Sequence, residues 1–292
     1  MAKIELENVS YVYSKGTPYE VTALDNVSVG VEEGSITGII GHTGSGKSTF
    51  VQLLNGLERP GEGRVLLDGK DIWENPKEIG KIRFRVGLIM QYPEYQLFEE
   101  TIRKDIAFGP KNMGFDDREI EERVLMAADF VGIERDLLDK SPFDLSGGQK
   151  RRAAIAGVIA MKPEVLVLDE PAAGLDPLGR DAIFQSIVDY RNKTGATIVI
   201  VSHSMEDMAR FCEDVIVMSH SKVVMKGKCE EVFSQADLLE EIGLDVPQIT
   251  RLMKRLQKKG IRVNDGIYTV EDGISEISEI LSSLSSERSG RE

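Results

Sequence analysis

Cysteine is nearly missing from this chain: Cys212 and Cys229 are the only two in 292 residues. They form neither a metal-ligand spacing nor a disulfide framework, which excludes a zinc-stapled or disulfide-stapled scaffold and points to a reducing compartment. Long apolar runs are missing as well. The longest are short, as at 198–201, against the roughly 18 to 20 residues of a membrane helix, so the chain is not expected to cross a bilayer alone. Its start, MAKIELENVS, enters strand-like alternation without an apolar signal segment. Positive charge is in deficit: 36 Lys and Arg against 49 Asp and Glu leave a net −13. That balance repels a phosphate backbone, and no nucleic-acid partner is expected. It suits a solvated acidic surface or one that meets a basic partner. What is present, 41% hydrophobic and 29% charged residues, suffices for one large core plus an appendage.

Periodicity predicts an α/β chain. Ile4 and Leu6 alternate with polar residues, and Ala23, Val27, Val29 and Val31 mark a second strand. Asp68-Gly69 between apolar stretches predicts a hairpin, and with it an antiparallel β subdomain. A buried strand at 35–40 runs into a glycine loop and then a helix bearing Phe50, Val51, Leu53, Leu54 and Leu57. A helical subdomain is expected over about 95–160. Within it Asp116 and Glu119 suggest a capping box, and a second helix runs from near Gly148 to before Pro163. The β-branched runs at 165–168 and 197–201, separated by a helical stretch, predict parallel strands buried on both faces. A closing hairpin is expected at 215–218 and 223–225. The main domain should end near 230. A small α/β appendage over 231–292 should follow, for packing and dimer contact. Its expected parts are a helix opened by Pro247 with Ile249, Leu252, Met253 and Leu256 on one face, a short strand near 267–270, and a helix carrying Ile274, Ile277, Ile280 and Leu281. The polar tail SSERSGRE is expected to be disordered.

Two stretches are suited to gripping phosphate. GHTGSGKST fits the P-loop pattern, with a strand before it and a helix after it. Gly41, Gly44 and Gly46 would let the backbone curl so that its N–H groups, those of His42, Thr43, Ser45 and Thr49 among them, point at phosphate oxygens. Lys47 would neutralise the β- and γ-phosphates of ATP, and Ser48 would hold Mg²⁺. The strand end VLVLDE supplies Asp169 for the same Mg²⁺. Glu170, pointing elsewhere by strand alternation, would act as the base that polarises the attacking water. The second stretch, LSGGQ, opens a helix with Ser146, Gly147, Gly148 and Gln149. A long helical segment separates it from the P-loop strand. It is therefore expected to serve a nucleotide held by another subunit.

With these motifs the chain resembles the ATP-binding cassette (ABC) ATPases over about residues 1–230. The fold implied is a P-loop NTPase core with a parallel sheet. The resemblance implies a dimer in which each ATP lies between one P-loop and the other subunit's LSGGQ. It further implies that Tyr13, with Tyr11 as rival, stacks on adenine. Gln91 would touch Mg²⁺ and water, Asp176 in AGLDP would face the opposite site, and His203 would be the catalytic switch near the γ-phosphate. The segment QYPEYQLFEETIRKDIAFGP and the run from SPFDLSGGQ to GLDP are similar to the energy-coupling factor (ECF) type. Ala172 stands where threonine is more usual. The ECF likeness implies a second ABC ATPase, a transmembrane coupling protein, and a small membrane protein that binds a vitamin or transition-metal ion. It places the chain on the cytoplasmic face of the membrane. Glu94, Glu99 and Glu100 offer an acidic surface for the coupling protein. A conventional ABC importer or exporter subunit remains the alternative.

Overall fold

The computed structural model describes residues 2–264 and 266–289, with the backbone alone for 283–289. Two antiparallel strands open it, β1 (Ala2–Tyr13) and β2 (Val21–Glu32). Their buried residues alternate with exposed ones, as in a sheet with one wet face. All six residues of β3 (Ile36–Gly41) are buried. It feeds the glycine loop and α1 (Lys47–Leu54). That helix ends at Asn55, so Leu57, expected on its apolar face, lies beyond it and is exposed. The hairpin of β4 (Glu62–Leu67) and β5 (Lys70–Asp71) turns on Asp68 and Gly69, both with positive φ, as a tight two-residue turn requires.

α2 (Ile79–Arg85) leads into the short β6 (Val86–Ile89). A helical layer follows, built from α3 (Ile102–Asn112), α4 (Asp117–Val131) and α5 (Gly147–Ile159). Asp116 caps α4 by accepting the Glu119 N–H at 2.9 Å, while the Glu119 carboxylate pairs with Arg123 instead. The expected capping box is therefore one-sided. At α5 both halves form, between Ser146 and Gln149. The chain continues through β7 (Val165–Asp169), α6 (Pro177–Thr194), β8 (Thr197–Val201), α7 (Met205–Phe211), β9 (Asp214–Ser219) and β10 (Lys222–Lys228).

Among the described residues the strands form two sheets. One runs β2-β1-β4-β5. The other runs β10-β9-β3-β8-β7-β6, parallel except where β10 pairs antiparallel with β9. Alternate residues of the parallel strands feed two cores. Ile39, Val167, Val199 and Ile216 pack with α1 and the antiparallel sheet. Ile40, Leu168, Ile200 and Val217 pack with the helical layer. Burial on both faces explains why these strands read as unbroken apolar runs.

Beyond β10 the chain is helical: α8 (Cys229–Ser234), α9 (Ala236–Glu241), α10 (Gln248–Lys258) and α11 (Val270–Ser289). The strand expected near 267–270 does not form. Ile267 packs on Ile249 and Met253, its carbonyl accepts the Thr250 hydroxyl at 2.9 Å, and Val270 already opens α11. With no neighbouring strand to pair with, the segment's β pattern goes unused. Leu252 turns outward rather than sharing the face of Ile249 and Met253. The expected disordered tail is helical through Ser289, and its last three residues lie outside the described ones. No helix among the described residues is long and apolar enough to cross a membrane.

Candidate functional site

The carboxyl ends of β3, β6, β7 and β8 open on one cavity of about 440 Å³, the usual place for a ligand on a parallel sheet. The glycine loop forms its floor. Gly46 has φ 101°, and a Cβ there would stand 2.3 Å from the Ala23 carbonyl oxygen, so only glycine fits. Lys47 is buried and folds back over its own loop, its Nζ donating to the carbonyls of Gly41 at 2.7 Å and His42 at 2.9 Å. Burial lowers its pKa, against the pull of Glu170 and Asp169. Thr43, Gly44, Ser48 and Thr49 line the cavity beside it.

Two side chains of the loop point away from the cavity. Ser45 is fully buried behind the loop, its hydroxyl without a hydrogen-bond partner. The His42 ring turns away from the cavity toward His220, 5.3 Å between ring centres. Its backbone carbonyl accepts Lys47 Nζ.

Tyr13 lines the cavity, its hydroxyl 3.1 Å from Thr49 Oγ1. Tyr11 meets it edge-on at 4.8 Å but is tied to Glu58 and packed on the core below. Val21, Thr22, Ala23 and Val201 line the cavity too. Sequence reasoning missed them because ordinary strand residues outside any motif carry no chemical signal.

The acidic pair departs from the strand-alternation reading. Glu170 has φ 52°, which breaks the alternation, and both carboxylates line the same cavity with Gln91 and His203. The backbone at Glu170 is held by its N–H donating to the Val201 carbonyl at 3.0 Å. Burial, then repulsion from Asp169, pushes the Glu170 carboxyl up to about 7. Burial also raises Asp169, against a hydrogen bond from Ser48. Burial and the nearby Lys47 lower His203.

Among the described residues no group of three or more His, Cys, Asp or Glu side chains is arranged to hold a metal ion. Ser48 and Asp169, with Gln91 on the same wall, instead give a sparse set of oxygens. A cation that keeps part of its water shell, as Mg²⁺ does, fits such a set, and it would stabilise an Asp169 carboxylate that burial disfavours and Lys47 offsets only in part.

Ser146, Gly147, Gly148, Gln149 and Asp176 do not line the cavity. Ser146 and Gln149 satisfy each other at the start of α5. A Cβ added to Gly147 or Gly148 would meet nothing within 4 Å. Asp176 caps α6, accepting the Gly179 N–H at 2.7 Å. Glu94, expected on a free acidic surface, is committed to Arg151, and Glu100 pairs with Lys104. The surface beside them exposes Tyr95 and Phe98 instead.

The chain is similar to known proteins in sequence and fold. The family described as ABC transporter matches residues 24–173. "Energy-coupling factor transporter ATP-binding protein EcfA2" of Clostridium acetobutylicum is 51% identical over 281 residues, 96% of this chain and 98% of that protein. The protein of the same name from Caldanaerobacter subterraneus subsp. tengcongensis is 49% identical, covering 92% of this chain and 94% of its own length. Among solved structures, cbiO1 from Clostridium perfringens, described as part of the ABC transporter complex cbiONQ, superposes with a TM-score of 0.74. It is 39% identical, over 87% of this chain and 99% of that one. A dimeric ATP-binding cassette in a post-hydrolysis state, bound to ADP and Pi, gives a TM-score of 0.70 at 29% identity, over 77% of this chain and 98% of its own. On this evidence the chain belongs to the ABC transporter family, among the energy-coupling factor transporter ATP-binding proteins.

Proposed function

We propose that this chain is an ATP-hydrolysing subunit of an ECF-type importer, working as one half of a two-ATPase dimer on the cytoplasmic face of the membrane. A single contrast carries the reading. Lys47, Ser48, Gln91, Asp169, Glu170 and His203 line one cavity, while the opening turn of α5, an equally ready anion site, lies off it with open space before its glycines. One phosphate site is complete in this chain except for a lid, and the other is a lid without a floor. A second subunit related by a two-fold axis supplies each with what it lacks.

In this reading Tyr13 stacks on adenine and the glycine loop, with Lys47, grips the β- and γ-phosphates. Lys47 exchanges its bonds to the Gly41 and His42 carbonyls for phosphate oxygens, so the loop offers a site already shaped. Ser48, Asp169 and Gln91 would hold Mg²⁺, which supplies charge neutralisation on the phosphate oxygens when bound. Glu170, with its pKa near neutrality, is matched to accept a proton from the attacking water. His203, kept neutral, is placed to hold the γ-phosphate end of the site. Ser146, Gly147, Gly148, Gln149 and Asp176 contact the nucleotide of the partner. Those contacts exist only in the closed pair, so ATP favours closure and hydrolysis removes the advantage.

Residues 1–230 form the ATPase domain, with the helical subdomain at about 95–160. Residues 231–292 add the appendage, for packing and contact with the second ATPase. A transmembrane coupling protein and a small substrate-binding membrane protein complete the assembly, the latter choosing a vitamin or transition-metal ion. The match to ECF relatives extends beyond the cassette into the appendage, which argues against a conventional importer or exporter. Native mass spectrometry of the detergent-solubilised complex tests the reading. The expected result is this chain with a second cassette, one coupling protein and one small membrane protein. Two copies on a single conventional permease would reject it.

A further inference from the structure

Arg151 lies five residues past the serine that caps α5, with its side chain 3% exposed. Its guanidinium reaches two other segments. Nε and Nη2 donate to the two carboxylate oxygens of Glu94, at 3.0 and 2.7 Å. Nη1 donates to the Ala173 carbonyl and lies 3.5 Å from that of Pro171. The guanidinium is planar and rigid, so a two-pronged pairing fixes direction as well as distance. One side chain of α5 thereby sets the spacing between the loop after Gln91 and the turn after Glu170.

The two clamped segments share a second property. Tyr92 and Glu170 have φ of 55° and 52°, and each precedes a proline, Pro93 and Pro171. Left-handed backbone is uncommon for such residues, and a following proline biases its predecessor toward extended backbone. Conformations of this kind persist only where the surroundings over-determine them. Here the Arg151 contacts begin immediately after each strained residue: at Glu94 beyond Pro93, and at Pro171 itself. The Tyr92 ring completes the packing, 5.9 Å from the guanidinium carbon.

We infer that Arg151 is a positioning residue for hydrolysis, holding the Gln91 loop and the Glu170 turn in the strained geometry that aims both side chains into one cavity. The inference rests on the reading of Gln91 and Glu170 given above. Arg151 does not line the cavity, so the glycine loop should still grip the phosphates when Arg151 is replaced. Because the clamp sits on the helix that LSGGQ opens, a shift of α5 when a second subunit closes moves both loops together.

The test uses the full-length chain assembled with its partner ATPase. Arg151→Lys keeps the charge and loses the fork. Arg151→Met combined with Glu94→Leu removes both charges and leaves no unpaired ion buried. In both variants the Kd for methylanthraniloyl-ATP should stay within threefold of wild type, and KM should hold, while kcat falls at least tenfold. The double variant should unfold at or above the wild-type temperature and still not recover kcat. Recovery of kcat to within threefold in the double variant would mean that the pair only supports the fold, and the inference fails. It fails equally if Arg151→Lys retains kcat within threefold, and that variant decides the matter alone if the double one does not fold. Turnover that survives Glu170→Gln in a chain that keeps Arg151 and Glu94 would instead overturn the underlying reading of the site, which separates the two failures.

Discussion

His203 Nε2 lies 3.5 Å from Oε1 of Glu170, and that carboxylate oxygen is buried without a hydrogen-bond partner. Burial acts on both groups against their charged forms, pushing the Glu170 carboxyl up to about 7 and His203 below its ordinary value. Near neutral pH neither charge is secure, so no fixed ion pair consumes the carboxylate. In the proposed reading, that free acceptor on the cavity wall is what would take a proton from the attacking water.

Glu170→Gln tests that arrangement most directly. The amide keeps the shape and cannot take a proton, and a positioned base is worth about 10² to 10⁴ in rate. ATP binding should hold while kcat falls at least 100-fold, and a closed dimer should accumulate on size-exclusion chromatography with ATP. Turnover at the wild-type rate would remove the base assignment.

Ser146→Arg probes the shared pocket. A bulky cation at the opening of α5 does not reach this chain's own cavity, so the isolated chain should bind ATP with unchanged Kd. Steady-state hydrolysis by the assembled pair should drop at least tenfold, the loss falling at the partner's P-loop site. If the isolated variant no longer binds ATP, the cross-subunit arrangement is wrong.

The two neighbouring tyrosines should separate by assay. Stacking of a base on an aromatic ring is worth about 1–3 kcal/mol, so Tyr13→Ala should raise the Kd for ATP about tenfold or more, and Tyr13→Phe should change it little. Tyr11→Ala should lower the unfolding midpoint and leave the Kd alone, since that ring packs on the core and bonds Glu58. Equal effects on Kd would withdraw the preference for Tyr13.

A surface network gives a stability prediction with a definite pH window. Glu164 joins Lys3 and Arg85, tying the antiparallel sheet to the parallel one. The Arg85 hydrogen bond, ahead of an opposing burial effect, holds its carboxyl down at about 2, against an ordinary value of 4.5. The folded chain thus binds fewer protons than the unfolded one between those values. The stabilisation is complete above 4.5 and lost as pH falls toward 2. The side chain is 42% exposed, so after solvent screening Glu164→Gln should cost about 1 kcal/mol at pH 7. Urea unfolding at pH 7, 5 and 3 should show the gap closing on acidification. A gap that does not change with pH would mean that packing, not charge, holds this corner.

The sequence announced the P-loop, the strand ending in Asp169 and the helix opened by LSGGQ because each couples a motif to a hydrophobic pattern that only one element fits. Four readings missed for want of long-range information. β6 is four residues long and owes its place to pairing with β7. The pattern at 267–270 suited a strand that has no neighbour. Glu170 leaves strand alternation through a left-handed backbone that no composition rule signals. Glu94 read as a free surface acid because its partner, Arg151, lies 57 residues away in sequence. Arg151 itself carried no sequence signal, because both of its partner segments are distant in the chain.

The open ground before Gly147 and Gly148 bears on how variants of this protein should be scored. Alanine at either position would clash with nothing inside the chain and would favour helix formation, so a screen of yield or melting point would rate it harmless or beneficial. In the proposed dimer the damage would surface only in the working transporter, where a methyl group would occupy the room proposed for the partner's phosphate. For this stretch, robustness of the isolated subunit and fitness of the proposed assembly are then separate quantities, to be scored by separate assays.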